Sequence, residues 1–168
     1  MNKSNTQTTP WSATSLTKMA LITALYIVVT IFLAPFSFGA IQLRFSELFN
    51  YLSLFNKRYI FAVTLGVGIA NLASPLGLVD VLIGSLSTFI VLVFSCYVSK
   101  HVTGLIKKLT ITALIFSFSM FTVAGQLAYF YQLPFFYTWL TVALGELLSM
   151  TVGGILIYWI HKKIDLTK

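Results

Sequence analysis

Residues 79–98 read Val79-Asp-Val-Leu-Ile-Gly-Ser-Leu-Ser-Thr-Phe-Ile-Val-Leu-Val-Phe-Ser-Cys-Tyr-Val98, with one charged side chain, Asp80, at the second position. As a helix this run rises about 30 Å, the thickness of a bilayer's hydrocarbon core. Similar apolar runs lie on both sides of it. Across the 168 residues 58% are hydrophobic and 9% charged, and the mean hydropathy is +0.90. Soluble domains are about 25% charged. The composition therefore excludes an ordinary soluble enzyme and a disordered chain. A single cysteine, Cys96, excludes an intrachain disulfide framework. With about 20 residues needed per span, 168 residues hold at most six or so helices, with no room expected for a soluble nucleotide-binding domain. If chemical energy is used, a partner must supply it.

Continuous apolar runs place helices over residues 16–34, 45–55, 59–72, 79–98, 109–131 and 135–160. Pro35, the turn at 56–58, the Ser74-Pro75-Leu76-Gly77 turn, the basic loop 100–108 and Gln132-Leu133-Pro134 separate them. The expected fold class is an all-α integral membrane protein, a six-helix bundle with one short helix at 45–55. The expected organisation is an N-terminal tail (1–15), a single membrane domain (16–163) and a C-terminal tail (164–168). The short segment would extend only about 16 Å as an α-helix. It must be tilted, flanked by other helices or re-entrant.

If it crosses, Lys3, Lys18, Lys57, Arg58, Lys100, Lys107, Lys108, Lys162, Lys163 and Lys168 share one side, and Arg44 stands alone on the other. The positive-inside rule then puts both termini in the cytoplasm. If it does not cross, Lys3 and Lys18 change sides with Arg44, and the charge bias is nearly as strong. Both arrangements put 74–78 and 132–134 on the outer face.

Carboxylates inside a membrane are expensive and usually face a cavity or a partner. Asp165 lies in the tail, so Glu47, Asp80 and Glu146 are the three to weigh. Glu146 falls roughly 16 Å into its helix, with no cation on that helix before Lys162. A ligand or cavity role outweighs a protonated acid bonded to a neighbouring helix. Glu47 follows Arg44 by three residues, so a local ion pair competes evenly with ligand contact. Asp80 opens its helix, where capping is favoured by the dipole. Asn71 closes another, where a cap is again the plainer reading. Gln126 shares a face with Thr122 and Tyr129, either as interhelical glue or as a pocket wall.

Trp139 lies seven residues before Glu146, on its face. Most rings among Tyr129 to Trp139 read as an interfacial belt, with one or two left for a pocket. Arg44, Glu47, Asn71, Asp80, Gln126 and Glu146 converge on the outer half in the six-helix arrangement. That pattern suits a pocket opening outward, whereas a pore needs polar lining throughout.

Motifs for metal binding, phosphate cradling or an acyl-transfer serine are not evident, and nothing points to nucleic acid. Cys96 and His101 are five residues apart, but Cys96 reads better as an inert core thiol. Small residues recur at four-residue spacing at Ala20 and Ala24, Gly66 and Ala70, and Gly145, Ser149 and Gly153. Such stripes permit close helix packing, internal for most. The pair Ala20 and Ala24, at the start of the first helix, could dock a partner.

The size, the helix count and Ala20-x-x-x-Ala24 resemble the substrate-binding S components of energy-coupling factor transporters. Three stretches resemble the queuosine-precursor (QueT-type) S components more narrowly. They are Gly39-Ala-Ile-Gln-Leu-Arg-Phe-Ser-Glu47, Gly66-Val-Gly-Ile-Ala-Asn-Leu-Ala-Ser-Pro-Leu-Gly-Leu-Val-Asp80 and Val142-Ala-Leu-Gly-Glu146. The resemblance implies a multi-pass cell-membrane protein that is not an enzyme and carries no cofactor. It would capture a 7-deazaguanine, prequeuosine base (preQ1) or queuine, outside the cell. It would join a transmembrane coupling subunit carrying two cytoplasmic ATPases, which use ATP. Ala20 and Ala24 would meet that subunit, and the loop at 36–43 would close over the ligand. Arg44, Glu47, Asn71, Asp80, Gln126, Tyr129, Trp139 and Glu146 are the candidate substrate contacts. Three rivals stay open: an S component for another nutrient such as a vitamin, a ligand-free membrane interaction protein, and a membrane enzyme using Cys96 and His101.

Overall fold

The computed structural model describes residues 12–39 and 42–167. Residues 1–11 of the expected N-terminal tail, Ala40 and Ile41 of the first loop, and Lys168 lie outside the described residues. Every regular element among the described residues is helical.

Helix α1 (Ala13–Phe32) starts three residues before the sequence placed it, because the Ser12 hydroxyl caps it by accepting Ser15 N–H at 3.3 Å. It stops at Phe32 rather than 34, and a short turn α2 (Ala34–Ser37) carries Pro35 in its first positions. Proline lacks the N–H that α1 would need to continue. A 3-10 helix follows (Phe45–Leu54), then α3 (Arg58–Ala70), which runs into a 3-10 turn (Asn71–Ala73). Helix α4 (Leu78–Lys100) begins after Gly77, whose φ of 54° suits a residue without a Cβ. Helix α5 (Leu105–Ser119) begins after Gly104, so Lys107 and Lys108 belong to its first turn and not to a loop. After α6 (Phe121–Tyr131), α7 (Phe135–Lys163) runs three residues past its expected end.

Among the described residues four stretches are long and apolar enough to cross a membrane: α1, α4, the α5–α6 pair and α7. The chain is therefore read as a multi-pass membrane protein. The expected count of six crossings is not confirmed by length alone. Segment 58–73 is shorter, at about 25 Å. The ten residues of the 3-10 helix reach about 20 Å, more than the same residues would as an α-helix, because each rises about 2.0 Å. This helix packs against α7, α1 and α3, so it is flanked by protein. The approach is close at Gly153, where a Cβ would sit 2.5 Å from Leu48 Cβ and 2.9 Å from Leu48 Cα.

The bundle buries small polar residues beside its apolar core and turns large apolar side chains outward. Thr30, Ser46, Asn50, Ser95, Thr112 and Ser149 are fully buried, while Phe32, Leu82 and Phe136 are exposed. Some interior hydroxyls tie helices together, as where Ser95 donates to Thr112 at 2.9 Å across α4 and α5. Lipid offers no hydrogen bonds, so polar groups turn inward.

The sequence read 109–131 as one helix, but it is broken at Met120. Ser119 Oγ donates to Phe116 O (2.7 Å), and Trp139 Nε1 donates to Phe118 O (3.1 Å). Side chains thus bond carbonyls around the break, a known cause of bending.

Candidate functional site

The site begins with the 3-10 helix. Arg44 stands at its N-terminus and Glu47 in its first turn, where residues three apart eclipse one another. Arg44 Nη1 comes within 3.8 Å of Glu47 Oε1, the local ion pair that the spacing allows. The Arg44 guanidinium also lies over the Phe38 ring, 5.1 Å from its centroid. Glu47 is engaged on both oxygens. Tyr26 of α1 donates its hydroxyl to Oε1 at 2.6 Å, and Asn50 donates to Oε2. Beside them Thr30 and Ser46 share a hydrogen bond of 2.6 Å, a second tie between α1 and this segment.

The turn between α3 and α4 supplies the opposite wall. Asn71, which caps α3 and opens the 3-10 turn, donates through Nδ2 to the backbone carbonyl of Asp80 at 3.0 Å. That bond fixes the amide, and Oδ1 is left buried with no partner among the described residues. Gly84 makes room for it, since a Cβ there would lie 2.5 Å from Asn71 Nδ2. Asp80 occupies the first turn of α4, where the dipole favours its charge, but its hydrogen bond comes from the Ser74 hydroxyl and not from a backbone amide. From the middle of α7, Glu146 enters the interior 2% exposed, and its Oε1 has no hydrogen-bond partner among the described residues.

These residues share one cavity of about 40 Å³. It is lined by Arg44, Glu47, Asn71, Asp80 and Glu146, with Gln42, Ser87, Thr88, Phe116, Ser119 and Thr122 between them. Five of the eight candidate contacts therefore meet. The other three do not reach the cavity. Gln126, one turn beyond Thr122, is buried with neither amide atom bonded. Tyr129 is 74% exposed. Trp139 turns to the helix break, packing edge-on against Phe118 at 5.4 Å in an apolar groove. The ring that does line the cavity is Phe116, and the broken helix contributes Ser119 and Thr122. The run Asp80, Gly84, Ser87, Thr88 falls at helical spacing on one face of α4. That small, polar face was readable in the sequence, whereas the break at Met120 was not.

Chemically, the cavity offers two buried unpartnered oxygens, one carboxylate and one amide. It also offers a second carboxylate near the α4 start and a guanidinium already paired. It suits a small ligand rich in N–H donors. Around it no group of three or more metal-binding side chains occurs among the described residues.

Residues 16–162 match the family described as QueT transporter. The chain is 38% identical over 159 residues to the queuosine precursor transporter QueT of Lactococcus lactis subsp. cremoris (strain MG1363), covering 89% of this chain and 94% of the relative. No solved structure matches significantly.

Proposed function

This chain belongs to the QueT transporter family, and from that premise we propose that it is the substrate-binding S component of an energy-coupling factor transporter, capturing a queuosine precursor for uptake. The observation that carries this reading is Glu146: a carboxylate buried in the bundle, on a cavity wall, with a free acceptor oxygen. The pyrimidine edge of a 7-deazaguanine presents adjacent N–H donors, and a carboxylate accepts them with charge-assisted strength. In this reading Glu146 takes that edge and Asn71 Oδ1 takes a further ring N–H. Phe116 stacks on the bicycle. Asp80, nearer the turn, receives the cationic amine of preQ1 or queuine. Glu47 is already saturated by Tyr26, Asn50 and Arg44, so it positions Arg44 and the cavity floor.

A cavity of about 40 Å³ is small beside the about 150 Å³ that accommodates a benzene-sized molecule. The bicycle enters when the walls part, and the segment leading to Arg44 through Gln42 is the wall without a helix. The chain crosses the membrane six times with both termini cytoplasmic, the 3-10 helix and segment 58–73 completing the count. Ala20 and Ala24, exposed on α1, meet the coupling subunit, and ATP is consumed by the partner ATPases.

The test is to purify the protein, denature it, and identify the small molecules released by mass spectrometry. Titration with preQ1, queuine and a panel of vitamins follows. Release and saturable binding of a 7-deazaguanine is the expected result. Binding of a vitamin instead, or of nothing, would overturn the substrate assignment.

A further inference from the structure

At the end of the bundle away from Asp80, a second crevice of about 90 Å³ opens where the 3-10 helix, α4 and α5 meet. Twenty residues of α4 separate Asp80 from Lys100, so the two sites are about 30 Å apart. Lys57, Lys100 and Lys108 all line the crevice, and no carboxylate among the described residues does. Three ammonium groups around one small space repel each other unless an anion joins them. The chain has four acidic residues, and three of them, Glu47, Asp80 and Glu146, are on the other cavity.

The hydroxyls of the crevice supply the second observation. Ser53 Oγ donates to Asn50 O at 2.7 Å, and Cys96 Sγ lies 3.4 Å from both Ser53 oxygens, so that pair is satisfied. Ser99 is not. It is 4% exposed, lines the crevice, and its Oγ has no hydrogen-bond partner among the described residues. A buried, unpartnered hydroxyl in a crevice lined by three lysines is the chemistry of a phosphate site.

We propose that this crevice binds a phosphate group, carried by an anionic phospholipid of the leaflet at the basic end of the bundle. The lysines contact the phosphate oxygens and Ser99 donates from below. Around the crevice's helices, Phe94, Tyr97 and Ile106 are exposed, where acyl chains would lie. Basic pockets between membrane helices recognise anionic headgroups in this way. The inference is independent of what the other cavity binds.

The test uses full-length protein in detergent, titrated with short-chain phosphatidylglycerol, short-chain phosphatidylcholine and inorganic phosphate. Native mass spectrometry counts bound lipid, and melting curves record stabilisation. Phosphatidylglycerol should bind saturably and raise the melting temperature, while phosphatidylcholine should not. The combined K57Q, K100Q and K108Q variant should lose on the order of 100-fold in affinity, and Ser99→Ala about fivefold. A variant with Lys162→Gln and Lys163→Gln should bind as the wild type does. Full competition by inorganic phosphate alone would keep the phosphate site and assign it to the free ion. Equal binding of the two lipids, or wild-type binding by the triple variant, would overturn the proposal. If the triple variant does not fold, unchanged affinity in Ser99→Ala does so.

Discussion

Replacing Glu146 with glutamine keeps the side chain's volume and puts an N–H where the cavity now offers an acceptor. Glu146→Gln should weaken preQ1 binding by roughly 10–150-fold, the equivalent of about 1.5–3 kcal/mol for one charge-assisted contact. Calorimetric titration measures this, with a melting curve to show that the variant folds. Wild-type affinity in the folded variant would remove Glu146 from the site. Gly84→Ala tests the same wall without touching charge. Its Cβ would press on Asn71 Nδ2 at 2.5 Å and swing the amide off the Asp80 carbonyl. Affinity should fall roughly 5- to 30-fold, matching about 1–2 kcal/mol for one misplaced hydrogen-bonding group. An unchanged titration would mean that Asn71 Oδ1 makes no ligand contact. Trp139 shows what a residue's spacing leaves open. It shares a helical face with Glu146, yet its indole N–H finds a carbonyl at the helix break, and the ring follows.

At the scale of the element, the 3-10 helix decides how the site is held. It carries Arg44 and Glu47 and presses its backbone on α7 at Gly153. Gly153→Ala should therefore cost about 1–3 kcal/mol of stability by overpacking and also loosen the ligand site. Gly125→Ala is the matched control, because a Cβ there meets nothing within 4 Å and alanine favours the helix. Thermal unfolding in detergent checks both. Equal melting temperatures for the two variants would show that the Leu48 contact yields without penalty. The break at Met120 lies beside the cavity, which Ser119, Met120 and Thr122 line. Apolar periodicity could not reveal it, since both halves are apolar and no proline or glycine marks the junction.

On the scale of the whole molecule, α1 has a polar buried face and an exposed face of small residues. Thr23, Tyr26 and Thr30 are buried, with Thr23 bonded to Ala62 O at 2.8 Å and Tyr26 to Glu47. Ala20 and Ala24 are exposed on the other side. The Gly66 and Gly153 stripes, by contrast, are filled by Tyr26 and Leu48 of this same chain. Ala20→Trp or Ala24→Trp should leave preQ1 affinity unchanged in the isolated protein and reduce co-purification of the coupling subunit. Loss of ligand binding with assembly intact would show that the stripe serves folding instead.

The apolar runs, the turns and the three membrane carboxylates were legible in the sequence, because lipid imposes length and polarity on every span. So were the Arg44–Glu47 spacing that allows an ion pair and an expected convergence of six polar residues, of which five line the cavity and Gln126 does not. The depth of Glu146 marked it in the sequence as the carboxylate to favour, but the donors that occupy Glu47 were not legible. Tyr26 and Asn50 reach Glu47 from a different helix and from its own next turn, whereas Glu146 has no such donor on Oε1. Hydrogen-bond saturation is a property of packed neighbours, so only the tertiary structure decides it. The same holds for the crevice at the basic end. Lys57, Lys100 and Lys108 read as scattered loop charges until the folding of α5 from Leu105 gathers them around Ser99.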